Sequence, residues 1–195
     1  ARLLEYRGNP HIGQKYVHVA GSKGKGSTSA MIAWSRAEAG YTTGLFTSPS
    51  IHRITERLRI NGVPISEPDF TGLVEGLWPA VEKVAADGDI GVVSVFELET
   101  AMAFCHFSNS DADISVIEVG LGGRLDSTNI ITPLLSVITP ISLDHVAVLG
   151  DTIPRIAGEK AGIIKPGIPV VTAPQKPEAL EVIQATAKRN HSLLV

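Results

Sequence analysis

Gly21-Ser22-Lys23-Gly24-Lys25-Gly26-Ser27-Thr28 is the stretch on which the fold turns. Residues 16–20 before it form a short apolar run. Residues 29–39 after it carry Met31, Ile32 and Ala39 near helical spacing, so the order reads strand, glycine-rich loop, helix. Backbone N–H groups at such a turn, together with the helix dipole, make a concavity that holds phosphate oxygens, and Lys25 is the charge expected at the terminal phosphates. The stretch departs from the pattern G-x-x-x-x-G-K-[ST]: position 19 is Val, and Gly26 stands where a hydroxyl belongs. A hydroxyl for Mg²⁺ must then come from Ser27 or from Ser48 in Thr47-Ser48-Pro49. The alternative, a flexible Gly/Lys surface turn, sits poorly with the strand and helix on either side.

Outward from the loop, Gly40 stops the helix and residues 43–47 form the next strand, completing a βαβ unit whose strands are expected to be parallel. Ile60-Asn61-Gly62-Val63 signals a hairpin with a type I′ turn. Ser66 and Pro68 open a helix through Leu73, Leu77, Val81 and Val84 that Gly88 closes, and residues 96–107 form another. Residues 114–119, 134–139 and 168–172 read as strands. Helices are expected from Thr152 and Pro154 to about Gly162 and from Pro177 to about Arg189. The whole is α/β: a doubly wound, mostly parallel sheet with helices on both faces, binding ligands beyond the carboxyl ends of its strands.

At 195 residues, 44% apolar and 19% charged, the chain fits one compact domain with a real core and does not resemble a disordered chain. A formal net charge of −3 supplies no basic field for nucleic acid or anionic lipid. The single cysteine, Cys105, lies among Ala103, Phe104 and Phe107 and is expected to be a buried thiol in a reducing compartment. No apolar run approaches the roughly 20 residues of a membrane span, and the cytoplasm is the expected location. The chain does not begin with Met and stops in the strand-like Ser192-Leu193-Leu194-Val195, so it reads as a fragment cut at both ends.

Glu118 ends an otherwise apolar run, where an unpaired charge is costly; Mg²⁺ is a natural partner and a structural salt bridge the alternative. Ser142-Leu143-Asp144-His145 offers Asp144 and His145 at the same sheet edge, against the plainer reading of a solvated histidine. Lys160 stands near the end of a short helix, where a cation favours the helix C-terminus.

In order, Gly21-Ser22-Lys23-Gly24-Lys25-Gly26-Ser27, Thr47-Ser48-Pro49, Glu118-Val119-Gly120-Leu121-Gly122-Gly123-Arg124, Asp126-Ser127-Thr128-Asn129, Leu143-Asp144-His145 and Glu159-Lys160-Ala161-Gly162 closely resemble the folylpolyglutamate synthase and dihydrofolate synthase family of the Mur ligase superfamily. The resemblance covers nearly the whole chain. It implies a P-loop-type Mur ligase central domain and an ATP-dependent amide ligase: ATP phosphorylates a folate carboxylate, and the amino group of L-glutamate attacks the acyl phosphate. By the match, residues 21–28 bind ATP, Ser48 and Glu118 hold one Mg²⁺, and His145 helps hold a second. Lys160 matches the family lysine that can be carbamylated. Lys25, Glu118, His145 and Lys160 are the expected catalytic set. The resemblance further implies an ATP-binding domain spanning 1–195, a separate C-terminal glutamate-binding domain that these residues do not include, and a monomer. Lys23 departs from the Asn of many members, and Ser50 stands where many carry His, with His52 two further on; neither receives a role. Polyglutamylation is preferred over glutamylation of dihydropteroate. The rivals are a bifunctional enzyme, a generic P-loop NTPase or kinase, and a catalytically silent nucleotide-binding module.

Overall fold

The computed structural model describes residues 1–87 and 91–195. Among these residues seven strands, β1 (Tyr16–Ala20), β2 (Thr43–Phe46), β3 (Leu58–Ile60), β4 (Val63–Pro64), β5 (Ile114–Glu118), β6 (Leu135–Ile138) and β7 (Val170–Thr172), form one sheet in the order β4-β3-β2-β5-β1-β6-β7. The five strands from β2 to β7 run parallel, and β3 and β4 extend the sheet as an antiparallel hairpin. β1 and β2 share a direction, as expected, but are not neighbours. β5 lies between them, with Val19 opposite Glu118 and Phe46 opposite Ile117. Both β1 and β5 are buried along their whole length, which is why they read as near-continuous apolar runs.

The helices are α1 (Arg2–Glu5), α2 (Lys25–Glu38), α3 (Glu67–Ala86), α4 (Val95–Asn109), α5 (Val146–Leu149), α6 (Ile153–Ala161) and α7 (Pro177–Arg189). Side chains alternate across each strand, so the sheet needs cover on both faces. On one face α2 brings Ala30, Ile32 and Ala33 against Val17, Val19, Leu45, Val116 and Val137. On the other, α3 and α4 close over Tyr16, Phe46 and Ile117, while α6 and α7 close over Ala20, Ile138 and Val170. Cys105 is buried in the α3–α4 layer, as its neighbours implied.

Local chemistry explains most element ends. Asn61 and Gly62 both take positive φ, 48° and 78°, as a type I′ turn requires. The Ser66 hydroxyl caps α3 by accepting the Asp69 N–H, and Ser94 and Glu97 form a reciprocal capping box on α4. The expected stop at Gly88 lies outside the described residues. Several boundaries differ from expectation, two of them for a visible reason. α2 begins at Lys25 rather than residue 29, because Gly24 (φ 81°) turns the phosphate loop directly into helix; β7 begins at Val170 because Gly167 (φ 72°) is still turning. The terminal strand-like run does pair, through a parallel bridge from Leu194 to Val170. No helix among the described residues is long and apolar enough to cross a membrane.

Candidate functional site

The loops that leave the carboxyl ends of β1, β2, β5 and β6 meet above the centre of the sheet. Ser22 and Lys23 donate their N–H groups to the Pro140 carbonyl, at 3.0 and 3.4 Å. The Ser22 hydroxyl donates to the Ser142 carbonyl (3.0 Å) and accepts the Ser142 N–H (3.1 Å). Ser22 is therefore a staple to the loop after β6 rather than a free donor. Gly21 has no room for a side chain: a Cβ there would fall 1.8 Å from the Thr139 hydroxyl oxygen. The first helical hydrogen bond of α2 runs from Thr28 N–H to the Gly24 carbonyl (2.9 Å), leaving the N–H groups of Lys25, Gly26 and Ser27 without helical partners and free to meet an anion.

Glu118 ends β5 on the face that α2 covers. Its side chain is almost fully buried, at 4% exposure, and its Oε2 accepts the Ser48 N–H at 3.1 Å. No ion pair reaches it among the described residues, so the salt-bridge alternative fails. Burial pushes its pKa up, and the Ser48 N–H and the Lys25 charge pull it back. A Cβ on Gly26 would stand 3.4 Å from Glu118 Oε2. This explains the missing hydroxyl in the phosphate loop: a longer side chain at position 26 would occupy the space in front of the carboxylate. Ser27 and Ser48 both line the cleft that Gly24, Gly26 and Glu118 share, but only Ser48 is bonded to Glu118. The Glu56 carboxylate clasps the roof of this cleft by accepting the N–H groups of Ile51, His52 and Arg53.

Lys160 lies in the last turn of α6, yet it does not serve the end of its own helix. It is 2% exposed, and its Nζ donates to the Gly21 carbonyl at 2.9 Å, 139 residues away. Burial lowers its pKa to about 8, the Lys25 charge adds to the fall, and Asp144 opposes it. Glu159 instead pairs with Arg124 at 2.9 Å. The structure thus brings Lys160, Gly21, Lys25 and Asp144 into one neighbourhood. His145 stands apart. It has a left-handed backbone (φ 48°), its ring is 57% exposed, and its Nε2 lies 3.5 Å from Asp144 Oδ1 with no hydrogen bond or ion pair to Ser48, Glu118 or Lys160.

Among the described residues no three His, Cys, Asp or Glu side chains converge into a metal cage. The donors that do meet, one buried carboxylate and one hydroxyl-bearing residue, are hard oxygens beside an anion-binding helix end. That fits Mg²⁺, which keeps few protein ligands and fills its shell with phosphate oxygens and water. A second cleft opens beside the loop after β5, lined by Ser94, Phe96, Leu121, Gly122, Asp126 and Ser127. Phe96 packs so closely on Gly120 that a Cβ there would meet the ring at 2.4 Å. Within that loop, Asp126 Oδ2 accepts the Leu121 N–H and Oδ1 accepts the Thr128 N–H. Sequence reasoning quoted Asp126-Ser127-Thr128-Asn129 as part of the family resemblance but gave Asp126 no role.

No protein-family model matches the chain. Among curated proteins it is 50% identical over 190 residues to the dihydrofolate synthase/folylpolyglutamate synthase of Bacillus subtilis (strain 168), covering 97% of this chain and 44% of that protein. It is 44% identical over 183 residues to the folylpolyglutamate synthase of Lacticaseibacillus casei, covering 94% of this chain and 43% of that protein. The chain belongs to the folylpolyglutamate synthase/dihydrofolate synthase family. Solved structures of the family agree in fold. An FPGS–AMPPCP–folate complex superposes with a TM-score of 0.94 at 43% identity, covering 99% of this chain and 47% of that one. The Mycobacterium tuberculosis folylpolyglutamate synthase complexed with ADP and AMPPCP gives 0.94 at 37% identity, covering 100% and 45%. The chain thus spans less than half the length of these family members.

Proposed function

We propose that this chain is the ATP-binding domain, over residues 1–195, of an ATP-dependent ligase that adds L-glutamate to a folate through an acyl phosphate. The observation that supports the reading is the contact between the Ser48 N–H and the Glu118 carboxylate facing Gly26 at the open N-terminus of α2, in a cleft that both residues line with the phosphate loop. Residues 24–28 hold the ATP phosphates, with Lys25 on the terminal ones, and residues 21–23 hold the loop to the strand ends. Ser48 and Glu118 hold one Mg²⁺, and His145 contributes to a second. When bound, Mg²⁺ supplies positive charge between the nucleotide phosphates and the carboxylate being phosphorylated, the stabilisation that phosphoryl transfer chiefly needs. Lys160 is carbamylated: its neutral amine attacks CO₂, an N–C bond forms, one proton leaves, and the side chain becomes an anion. A pKa near 8 leaves about a tenth of the amine neutral at pH 7, available for that reaction.

The full polypeptide carries a C-terminal glutamate-binding domain, in keeping with the chain's match to under half of each relative, and acts as a cytoplasmic monomer. The test is ADP release by the full-length polypeptide. Release that requires both a reduced folate and glutamate supports the ligase; release that ignores glutamate makes it a generic P-loop NTPase, and binding without release makes it a silent module. A second reading, dihydrofolate synthase activity in the same site, is favoured by the Bacillus subtilis relative that bears both names. Dihydropteroate in place of the folate decides it.

A further inference from the structure

His18 lies in the middle of β1, wholly buried, opposite Ile117 of β5 and Ser136 of β6. Its Nε2 is 2.9 Å from the Thr128 hydroxyl, which is equally buried. That hydroxyl has one proton, and it goes to Asp126 Oδ1, an acceptor that also takes the Thr128 N–H at 3.0 Å. An ionised carboxylate only accepts, so the hydroxyl must accept from His18, and the imidazole must carry its proton on Nε2. The other tautomer would set two lone pairs against each other at 2.9 Å. The Nδ1 atom has no partner among the described residues, so a second proton there would be a buried, unsatisfied donor. Burial, with the Lys165 charge adding to it, pushes the His18 pKa down to about 3.

The chain of bonds continues from Asp126 into the loop after β5. Asp126 Oδ2 accepts the Leu121 N–H at 2.8 Å, and the Asp126 N–H donates to the Gly123 carbonyl at 3.1 Å. Asp126 and its neighbours form one wall of the cleft beside Phe96. Three residues downstream of His18, the same strand releases the phosphate loop at Gly21. One buried ring therefore sits between the two loops that border the site.

We propose that His18 is a positioning residue: as an Nε2–H imidazole it commits the Thr128 hydroxyl to Asp126 and holds the 120–127 loop in register with the phosphate loop carried by the same strand. The activity consequence rests on the ligase reading above; the bonding consequence does not. Replacing the ring by leucine frees the Thr128 hydroxyl to turn away from Asp126, whereas glutamine keeps an N–H donor.

The test has three readouts. Imidazole ¹⁵N shifts of the wild-type chain, with His18 assigned by its loss in His18→Gln, should show a neutral Nε2–H ring from about pH 5 to about pH 8. A ring that protonates in that range, or carries its proton on Nδ1, overturns the proposal even if no leucine variant folds. Amide exchange at Leu121 and Thr128 should be at least about tenfold faster in His18→Leu and within about threefold of wild type in His18→Gln. Unchanged protection in the leucine variant also overturns it. In the full-length polypeptide, kcat should fall about tenfold or more in His18→Leu with the ATP KM kept within about twofold, and His18→Gln should recover most of it. Equal kcat in the two variants defeats the positioning role. A wild type without glutamate-dependent turnover removes the ligase reading, while the ring and the amides still decide the role of His18.

Discussion

The Lys160 ammonium donates a 2.9 Å hydrogen bond to the Gly21 carbonyl, so the first residue of the phosphate loop is held by a buried cation from α6. This bond has a pH signature. The lysine pKa falls from 10.5 in the unfolded chain to about 8 in the fold, so between those values the unfolded state holds the proton and the folded state does not. Stability must rise with pH across that window. The burial cost, about 1–3 kcal/mol after allowing for residual screening, is present in full below about pH 8 and relieved by about pH 10.5. Urea titrations at pH 7.5 and pH 10 should show wild type gaining that increment relative to Lys160→Met; parallel pH dependence of the two proteins refutes the shifted lysine.

The same amine is the one proposed to take up CO₂. Lys160→Ala should abolish most ligase activity of the full-length polypeptide, and a short carboxylate such as acetate should restore part of it by supplying the missing anion. ¹³C-bicarbonate should label wild type with a carbamate resonance absent from the variant. No carbamate in an active, Mg²⁺-loaded enzyme would return Lys160 to the role it has here, an ammonium pinning Gly21.

Two glycines of the phosphate loop compare backbone strain alone, at Gly24, with strain plus crowding, at Gly21, whose φ is also positive at 149°. At Gly24 a Cβ meets nothing within 4 Å, and the only penalty is its positive φ of 81°. Gly24→Ala should therefore cost about 1–2 kcal/mol. At Gly21 the Cβ would lie 1.8 Å from Thr139 Oγ1 and 3.1 Å from the Thr139 carbonyl, so Gly21→Ala must push apart β1 and β6 at their carboxyl ends. It should be clearly the more damaging change in thermal denaturation; equal melting temperatures would show that the Thr139 side chain simply rotates away.

Elements whose cause is local were legible in the sequence, and relationships across the sheet were not. The Asn61-Gly62 turn, the Ser66 cap and the strand from Tyr16 to Ala20 each follow from residues within a few positions of one another. The insertion of β5 between β1 and β2 leaves no local trace, because both arrangements need the same apolar runs. α1 and α5 are four residues each, too short to show a helical period. In the site, the resemblance named Lys160 and Glu159 as neighbours in one motif. Only the fold shows them diverging, Lys160 to Gly21 and Glu159 to Arg124, because successive residues on a helix face different directions. His145 was expected at the sheet edge and is there, but with its ring turned mostly to solvent.

Lys25 opens α2 and exerts its charge on both Glu118 and Lys160. Removing it should weaken ATP binding roughly tenfold or more, since a charged hydrogen bond is worth about 1.5–3 kcal/mol. Calorimetry on folded Lys25→Ala measures this directly. An affinity equal to wild type would shift the phosphates away from the N-terminus of α2.

Ser48 and Ser27 are the two hydroxyls that could replace the one missing at Gly26, and the structure distinguishes them. Both line the same cleft, but the Ser48 N–H binds Glu118 Oε2, so the residue already has a fixed distance from the buried carboxylate. Ser27 is exposed in the first turn of α2, where its backbone N–H is the group best used on phosphate. A cation held by Glu118 would then take its hydroxyl ligand from Ser48. Ser48→Ala retains the backbone bond to Glu118 and deletes only the hydroxyl, so folding should be unaffected. The Mg²⁺ concentration giving half-maximal activity in the full-length polypeptide should rise several-fold, by the loss of one oxygen ligand, while Ser27→Ala shifts it little. Glu118→Gln should raise it further, because the charge goes as well. If Ser27→Ala shows the larger shift, the phosphate loop supplies its own metal hydroxyl one residue late, and Ser48 serves only to seat Glu118.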